Sequence, residues 1–158
     1  MPFRNVVLMI GAFITFILST LISWYEGAQL RDIPWEWEYI AIFSNWANDG
    51  FTNANNLLVI DHFVYASKFE PFFPILMVVS LVYMIFQLVF QLFKRCKAVL
   101  NLFLFSVAIA SFVICSILFD SQTMGFKLFS FFFGTVFLAS IIKIYRFNAK
   151  NERMTKTI

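Results

Sequence analysis

Four stretches of this chain are each about twenty residues long, almost wholly apolar and free of acidic residues: 6–24, 72–93, 98–119 and 126–145. A helix rises about 1.5 Å per residue, so roughly 20 residues cross a bilayer core of about 30 Å. In hydrocarbon every backbone N–H and C=O must be satisfied internally, and a helix does this within one segment. The first three stretches carry no charge at all, and the fourth has Lys127 and Lys143 near its two ends. Lysines so placed reach the headgroups with their long stems. The rest of the composition agrees. Hydrophobic residues make up 61% of the 158 and charged residues 13%, against roughly 45–50% and 25% in soluble domains. A globule of this length exposes too much of its chain to hide that apolar surface. An ordinary soluble domain, a disordered tail and a disulfide-rich secreted module are excluded. The expected fold class is all-α: a four-helix transmembrane bundle forming a single integral membrane domain over 1–158, in contact with the lipid bilayer.

The first stretch follows Arg4 and sits where a secretory signal would. A signal has a shorter apolar region, about 7–15 residues, and a small-residue cleavage site. Here the run is longer and closes on Ser23-Trp24-Tyr25-Glu26, with Trp24 and Tyr25 suited to the membrane interface, so it reads as a retained helix.

Charge orients the spans. Four spans put both termini on one side, together with the turn Lys94-Arg95-Cys96-Lys97. That side holds nine Lys/Arg: Arg4, Lys94, Arg95, Lys97, Lys143, Arg146, Lys150, Arg153 and Lys156. The other side holds three, Arg31, Lys68 and Lys127. The positive-inside rule then gives cytoplasmic termini, an external loop over 25–71 and a cytoplasmic basic tail over 146–158. The plasma membrane is the expected location. The net charge of +3 is a topology signal, and the tail suits anionic lipid; nucleic acid is not an expected partner.

The external loop is the one long polar segment. Asp32 stands before Pro34, where it could cap a helix whose first turn tolerates proline. Trp35, Tyr39, Ile42, Phe43 and Trp46 recur at helical spacing and predict an aromatic stripe on one short helix. Asn48-Asp49-Gly50 is a turn signal. Leu57 to Phe69 predicts a second helix with Leu57, Leu58, Phe63, Val64 and Ala66 on its apolar side. Asp61, Tyr65 and Lys68 share the polar face. Glu70-Pro71 ends it, because proline disfavours helical geometry in the residue before it. His62, the single histidine, reads as a plain surface residue rather than a metal ligand, since one His with scattered carboxylates is a poor site. The loop is expected to be a folded cap, and its candidate partner or ligand surface is Trp35, Trp37, Tyr39, Trp46, Asp61, His62, Tyr65 and Lys68.

Within the membrane the polar residues are mild. Gly11, Thr15, Ser19 and Ser23 fall every four residues, a small-residue stripe that allows close helix packing. Ala108, Ser111 and Cys115 make a similar seam in the third span, and Ser130 with Gly134 in the fourth. Gln87, Gln91 and Asn101 form a candidate intramembrane polar cluster, expected to hydrogen-bond across the second and third spans; the alternative is a polar vestibule. Acids, Arg and His are missing from the span centres, which argues against a proton-coupled pump.

Chemistry-bearing motifs do not stand out. A Gly-rich phosphate loop, H-E-x-x-H and G-x-S-x-G are all lacking, and Cys96 and Cys115 are too far apart along one helix to pair. Catalytic residues, metal ligands and cofactors are therefore not expected. Ser23-Trp24-Tyr25-Glu26-Gly27, then Asp32-Ile33-Pro34-Trp35-Glu36-Trp37, resemble the YjdJ-like family of small uncharacterised bacterial multi-pass membrane proteins. Phe63-Val64-Tyr65-Ala66-Ser67-Lys68-Phe69, with Pro71 and Pro74, looks like the second external segment of the same family. The resemblance covers under half the chain. It implies a bacterial plasma membrane and no reaction, because the family is a domain of unknown function.

The leading functional expectation is a non-enzymatic accessory or regulatory subunit that binds a membrane-protein partner or external ligand through the first external loop. The alternatives are a small channel or transporter-like homo-oligomer that uses Gln87, Gln91 and Asn101, and a toxin or antimicrobial immunity protein. A lipid-directed enzyme built on Asp61, His62, Tyr65 and Lys68 ranks last.

Overall fold

Each apolar stretch folds into one long helix. In a computed structural model, which describes residues 3–48 and 53–155, these are α1 (Phe3–Gly27), α5 (Phe72–Leu92), α6 (Lys97–Phe119) and α7 (Met124–Thr155). All four are long and apolar enough to cross a membrane. Between 11% and 17% of the residues in their most apolar windows are buried within the protein. Large side chains such as Phe105, Phe112, Ile117 and Phe131 stand exposed on the helix surfaces. Faces this apolar are stable against lipid tails and not against water. The chain is an all-α membrane protein, and among the described residues there is no strand.

Several hydroxyl groups on these helices find their acceptor within the same helix. Thr15 donates to the carbonyl of Gly11 (2.9 Å), Thr20 to Phe16 (2.7 Å), Ser80 to Leu76 (2.7 Å) and Ser140 to Val136 (2.8 Å). Bonding back four residues satisfies the hydroxyl inside its own helix, which is how Ser and Thr are tolerated where water is missing.

The chain forms two compact units: Met1–Ile85 with Thr123–Gly125, and Phe86–Gln122 with Phe126–Ile158. In the first, the connection from α1 to α5 is folded into short pieces. Two 3-10 turns (Ala28–Asp32 and Pro34–Glu36) lead into α2 (Trp37–Ile40) and α3 (Ile42–Ala47), and a third (Ala54–Asn56) leads into α4 (Val59–Phe69). The continuous stripe helix is not formed. Ala41, buried with φ −80° and ψ 54°, breaks it into α2 and α3. Asp32 caps nothing: it closes a 3-10 turn, and Ile33 stands before the proline. Asn48 ends α3 as its C-cap, while Asp49-Gly50 lies outside the described residues.

The core of this unit is small. Leu30, Ile40, Ala41 and Tyr65 are buried together, with Ile33, Trp37, Leu57 and Val64 packed against them. Trp37 also donates its indole N–H to the carbonyl of Leu30 at 2.7 Å.

In the second unit the tight basic turn is closed by the Cys96 N–H on the carbonyl of Phe93 (2.9 Å). The α6 and α7 seams meet: Ser130 donates its hydroxyl to the carbonyl of Cys115 at 3.0 Å. A Cβ added at Gly134 would sit 3.7 Å from the Cys115 sulfur. Phe112 packs on Phe137 (5.5 Å) and Phe86 on Phe103 (5.4 Å). Lys143 lies over the ring of Phe90 at 4.5 Å, so its charge rests on an aromatic face. The α7 helix runs on past Tyr145 into the basic tail.

Candidate functional site

The site is built around α4. Its sequence alternates small, polar and aromatic residues, and the face that carries Asp61, His62, Tyr65 and Ala66 is the buried one. The expectation for this helix is therefore corrected in part. Ala66 of the expected apolar side is buried, but so are Asp61 and Tyr65 of the expected polar face, while Phe63 and Val64 are half-buried. The residues that face α1 and α3 are those that make hydrogen bonds or close contacts there.

Asp61 is fully buried, and its carboxylate accepts from the Phe43 N–H (3.1 Å), the Ser44 N–H (2.8 Å) and the Ser44 hydroxyl. Phe43 and Ser44 are the second and third residues of α3, whose own N-cap residue, Ala41, offers no side-chain bond. Asp61 thus supplies from a distance the acceptor that an N-cap Ser or Asp supplies locally. Ser44 reciprocates, since its oxygen accepts from the Leu58 N–H at 2.8 Å just before α4 begins. A buried carboxylate with three donors is a structural lock; it is not a free ligand-binding acid.

His62 is also buried (5% exposed) and is not a surface histidine. Its backbone presses against α1: a Cβ added at Gly27 would stand 2.0 Å from the His62 carbonyl oxygen. Gly27 continues the stripe, with Ser19, Ser23 and Gly27 the buried residues of α1. Gly11, at the other end, has open space around it. Burial, followed by the positive charge of Arg31, lowers the His62 pKa, and Asp61 opposes this weakly. The imidazole Nδ1 is enclosed without a hydrogen-bond partner. Tyr65 is buried as well, and burial, Glu36 and Glu70 raise its pKa.

Beside this contact lies a cleft of about 510 Å³. Leu21, Trp24 and Leu57 form its apolar wall, and Arg31, Asn55 and His62 bring polar groups to it. Sequence reasoning missed Arg31, Trp24, Ser44 and Gly27 as a set. Only Gly27 had a signal, as the next step of the four-residue stripe.

The aromatic candidates divide. Trp35 (73%), Tyr39 (73%) and Trp46 (85%) are exposed, whereas Trp37 is half-buried and hydrogen-bonded. Lys68 is half-buried with its ammonium 5.2 Å from the Phe69 ring centre. Of the eight residues expected on one surface, Asp61, His62 and Tyr65 are therefore interior. Both amide atoms of Gln91 are enclosed and make no hydrogen bond, so Gln91 does not form the amide contact expected of it with Asn101.

Residues 6–93 match the sequence profile of DUF4306, a domain of unknown function. The chain belongs to this family. Every motif quoted above for the resemblance lies inside the matched region, which takes in most of α1, the whole connection and α5. The chain is also similar to the uncharacterized protein YjdJ of Bacillus subtilis strain 168, with 28% identity over 72 residues. That alignment covers 44% of this chain and 66% of the relative, just under two thirds of its length. No solved structure matches the chain. The DUF4306 match therefore contains the Gly27–His62 contact, the Asp61–Ser44 lock and the cleft, and leaves α6 and α7 outside it.

Proposed function

We propose that this DUF4306 protein is a non-enzymatic accessory subunit of a bacterial plasma membrane that docks a membrane-protein partner through the connection between α1 and α5. The termini are cytoplasmic and the connection external, on the charge distribution of the loops. One observation carries the reading. The connection is locked internally by buried polar groups, yet it leaves Trp35, Tyr39 and Trp46 almost wholly exposed. Large rigid aromatics on a fixed scaffold make good binding anchors, because little side-chain entropy is lost when they are covered. Aromatic residues on a floppy loop would not have that advantage.

The test is a mild-detergent pull-down of the tagged full chain from its native membranes. A stoichiometric partner that is lost when Trp35, Tyr39 and Trp46 are together changed to Ala, with the thermal midpoint unchanged, supports the reading. Associations that are indifferent to all three changes overturn it.

A second reading is favoured by Gln91, whose enclosed amide has no partner. An unsatisfied amide at membrane depth costs on the order of 1–3 kcal/mol, a cost that a polar conduit lined by Gln87, Gln91 and Asn101 would relieve. Ion or solute flux in liposomes that is altered by Gln91→Leu supports this channel-like reading, and tight liposomes exclude it.

A further inference from the structure

The cleft beside the C-terminal end of α1 has the chemistry of a site for an amphiphilic anion. Arg31 is exposed and, among the described residues, forms no ion pair or hydrogen bond. The carboxylate of Asp61 is engaged by its three donors from Phe43 and Ser44 and, among the described residues, forms no ion pair with Arg31. His62 lines the same cleft, is 5% exposed and has an enclosed ring nitrogen with no partner. A buried polar atom without a hydrogen bond is costly unless something arrives to satisfy it. Leu21, Trp24 and Leu57 line the same cleft and give it an apolar part. At about 510 Å³, the space equals roughly seventeen water volumes at about 30 Å³ each. That accommodates a phosphate ester with a few attached carbons.

We propose that this cleft binds the phosphate of an anionic phospholipid, with Arg31 and His62 at the headgroup and Leu21, Trp24 and Leu57 along the first part of the acyl chain. The lipid is preferred over a soluble phosphate ester because the apolar wall continues directly from α1, a helix of membrane length with Trp24 and Tyr25 in its last turn. Arginine suits the role because its fork of donors matches phosphate oxygens. The proposal does not depend on a protein partner, so it stands or falls separately from the docking function.

The experiment places the full chain in nanodiscs of phosphatidylglycerol and phosphatidylcholine with matched chains, and native mass spectrometry reads the retained lipid. Both lipids present a phosphate, but phosphatidylcholine adds a fixed cation that the Arg31 guanidinium repels, which predicts a preference for phosphatidylglycerol of about tenfold. Arg31→Gln should bring that preference to near parity, and Arg31→Lys should restore part of it. Arg146→Gln, in the basic tail, should leave it unchanged and so separates the cleft from general attraction to that tail. Displacement of the lipid by free glycerol phosphate would uphold the phosphate site and overturn its assignment to lipid. No preference in the wild type, or a preference that survives Arg31→Gln, overturns the proposal.

Discussion

Helix α4 sits on α1, and α6 meets α7, through two different kinds of contact. At the first, backbone rests on backbone: Gly27 has no room for a single added carbon against the His62 carbonyl. The surroundings are polar, with Ser23, Asp61 and His62 all buried. At the second, side chains mediate. Ser130 reaches the Cys115 carbonyl, Phe112 packs on Phe137, and even a Cβ added at Gly134 would keep an ordinary van der Waals distance from Cys115. Small residues line both interfaces, yet only one of them depends on smallness. A small-residue stripe in a sequence therefore states that close approach is permitted, and the structure decides where it is used.

The contrast can be broken most forcefully at Gly27. Gly27→Ala puts a carbon 2.0 Å from a backbone oxygen that cannot rotate away, and overpacking of this kind is expected to cost about 3 kcal/mol or more. The thermal midpoint in detergent should fall sharply, and protease should cut between α2 and α4. Asp61→Ala comes next. It strips the acceptor from the two α3 N–H groups and the Ser44 hydroxyl, at an expected cost of about 2–3 kcal/mol for buried donors left unpaired. Amide exchange at Phe43 and Ser44 should accelerate by more than that at Leu104 or Ala108. Gly134→Ala sharpens the comparison from the other side. With 3.7 Å available, the substitution should be neutral or stabilising by up to about 1 kcal/mol, as alanine is the better helix former.

The gentlest probe is acidity. The folded His62 holds its proton less firmly than the ordinary value of 6.5, so the unfolded chain takes up a proton first as the pH falls. Stability contributed at this residue is present above about pH 6.5 and is lost as the pH drops below it toward the folded value. Thermal midpoints at pH 7.5 and 5.5 should differ in that direction, and His62→Gln should remove this part of the difference.

The long helices were legible because twenty apolar residues without an acid have few other stable fates in a cell. The interior of the connection was not. Asp61 and Ser44 are 17 residues apart, and nothing local distinguishes a carboxylate that caps a remote helix from one that faces water. Ala41 broke a stripe that periodicity alone made continuous, because its backbone leaves the helical region at a buried point where α2 and α3 turn. Trp35, Tyr39 and Trp46 stand exposed on three separate pieces, a 3-10 turn, α2 and α3, so the helical spacing that suggested one stripe does not account for their exposure.

Gly125 gives α4 a second close neighbour. An added Cβ there would lie 2.0 Å from the Ser67 carbonyl oxygen, so the start of α7 touches the end of α4 as tightly as Gly27 touches its beginning. Residues 27, 62, 67 and 125 are thus joined across nearly a hundred positions of chain. During synthesis, α4 can settle on α1 soon after it emerges, yet its other end stays open until the first turn of α7 has left the ribosome. The first unit thus closes last where translation arrives late: a structure that lies mostly in residues 1–85 is completed by residues 123–125.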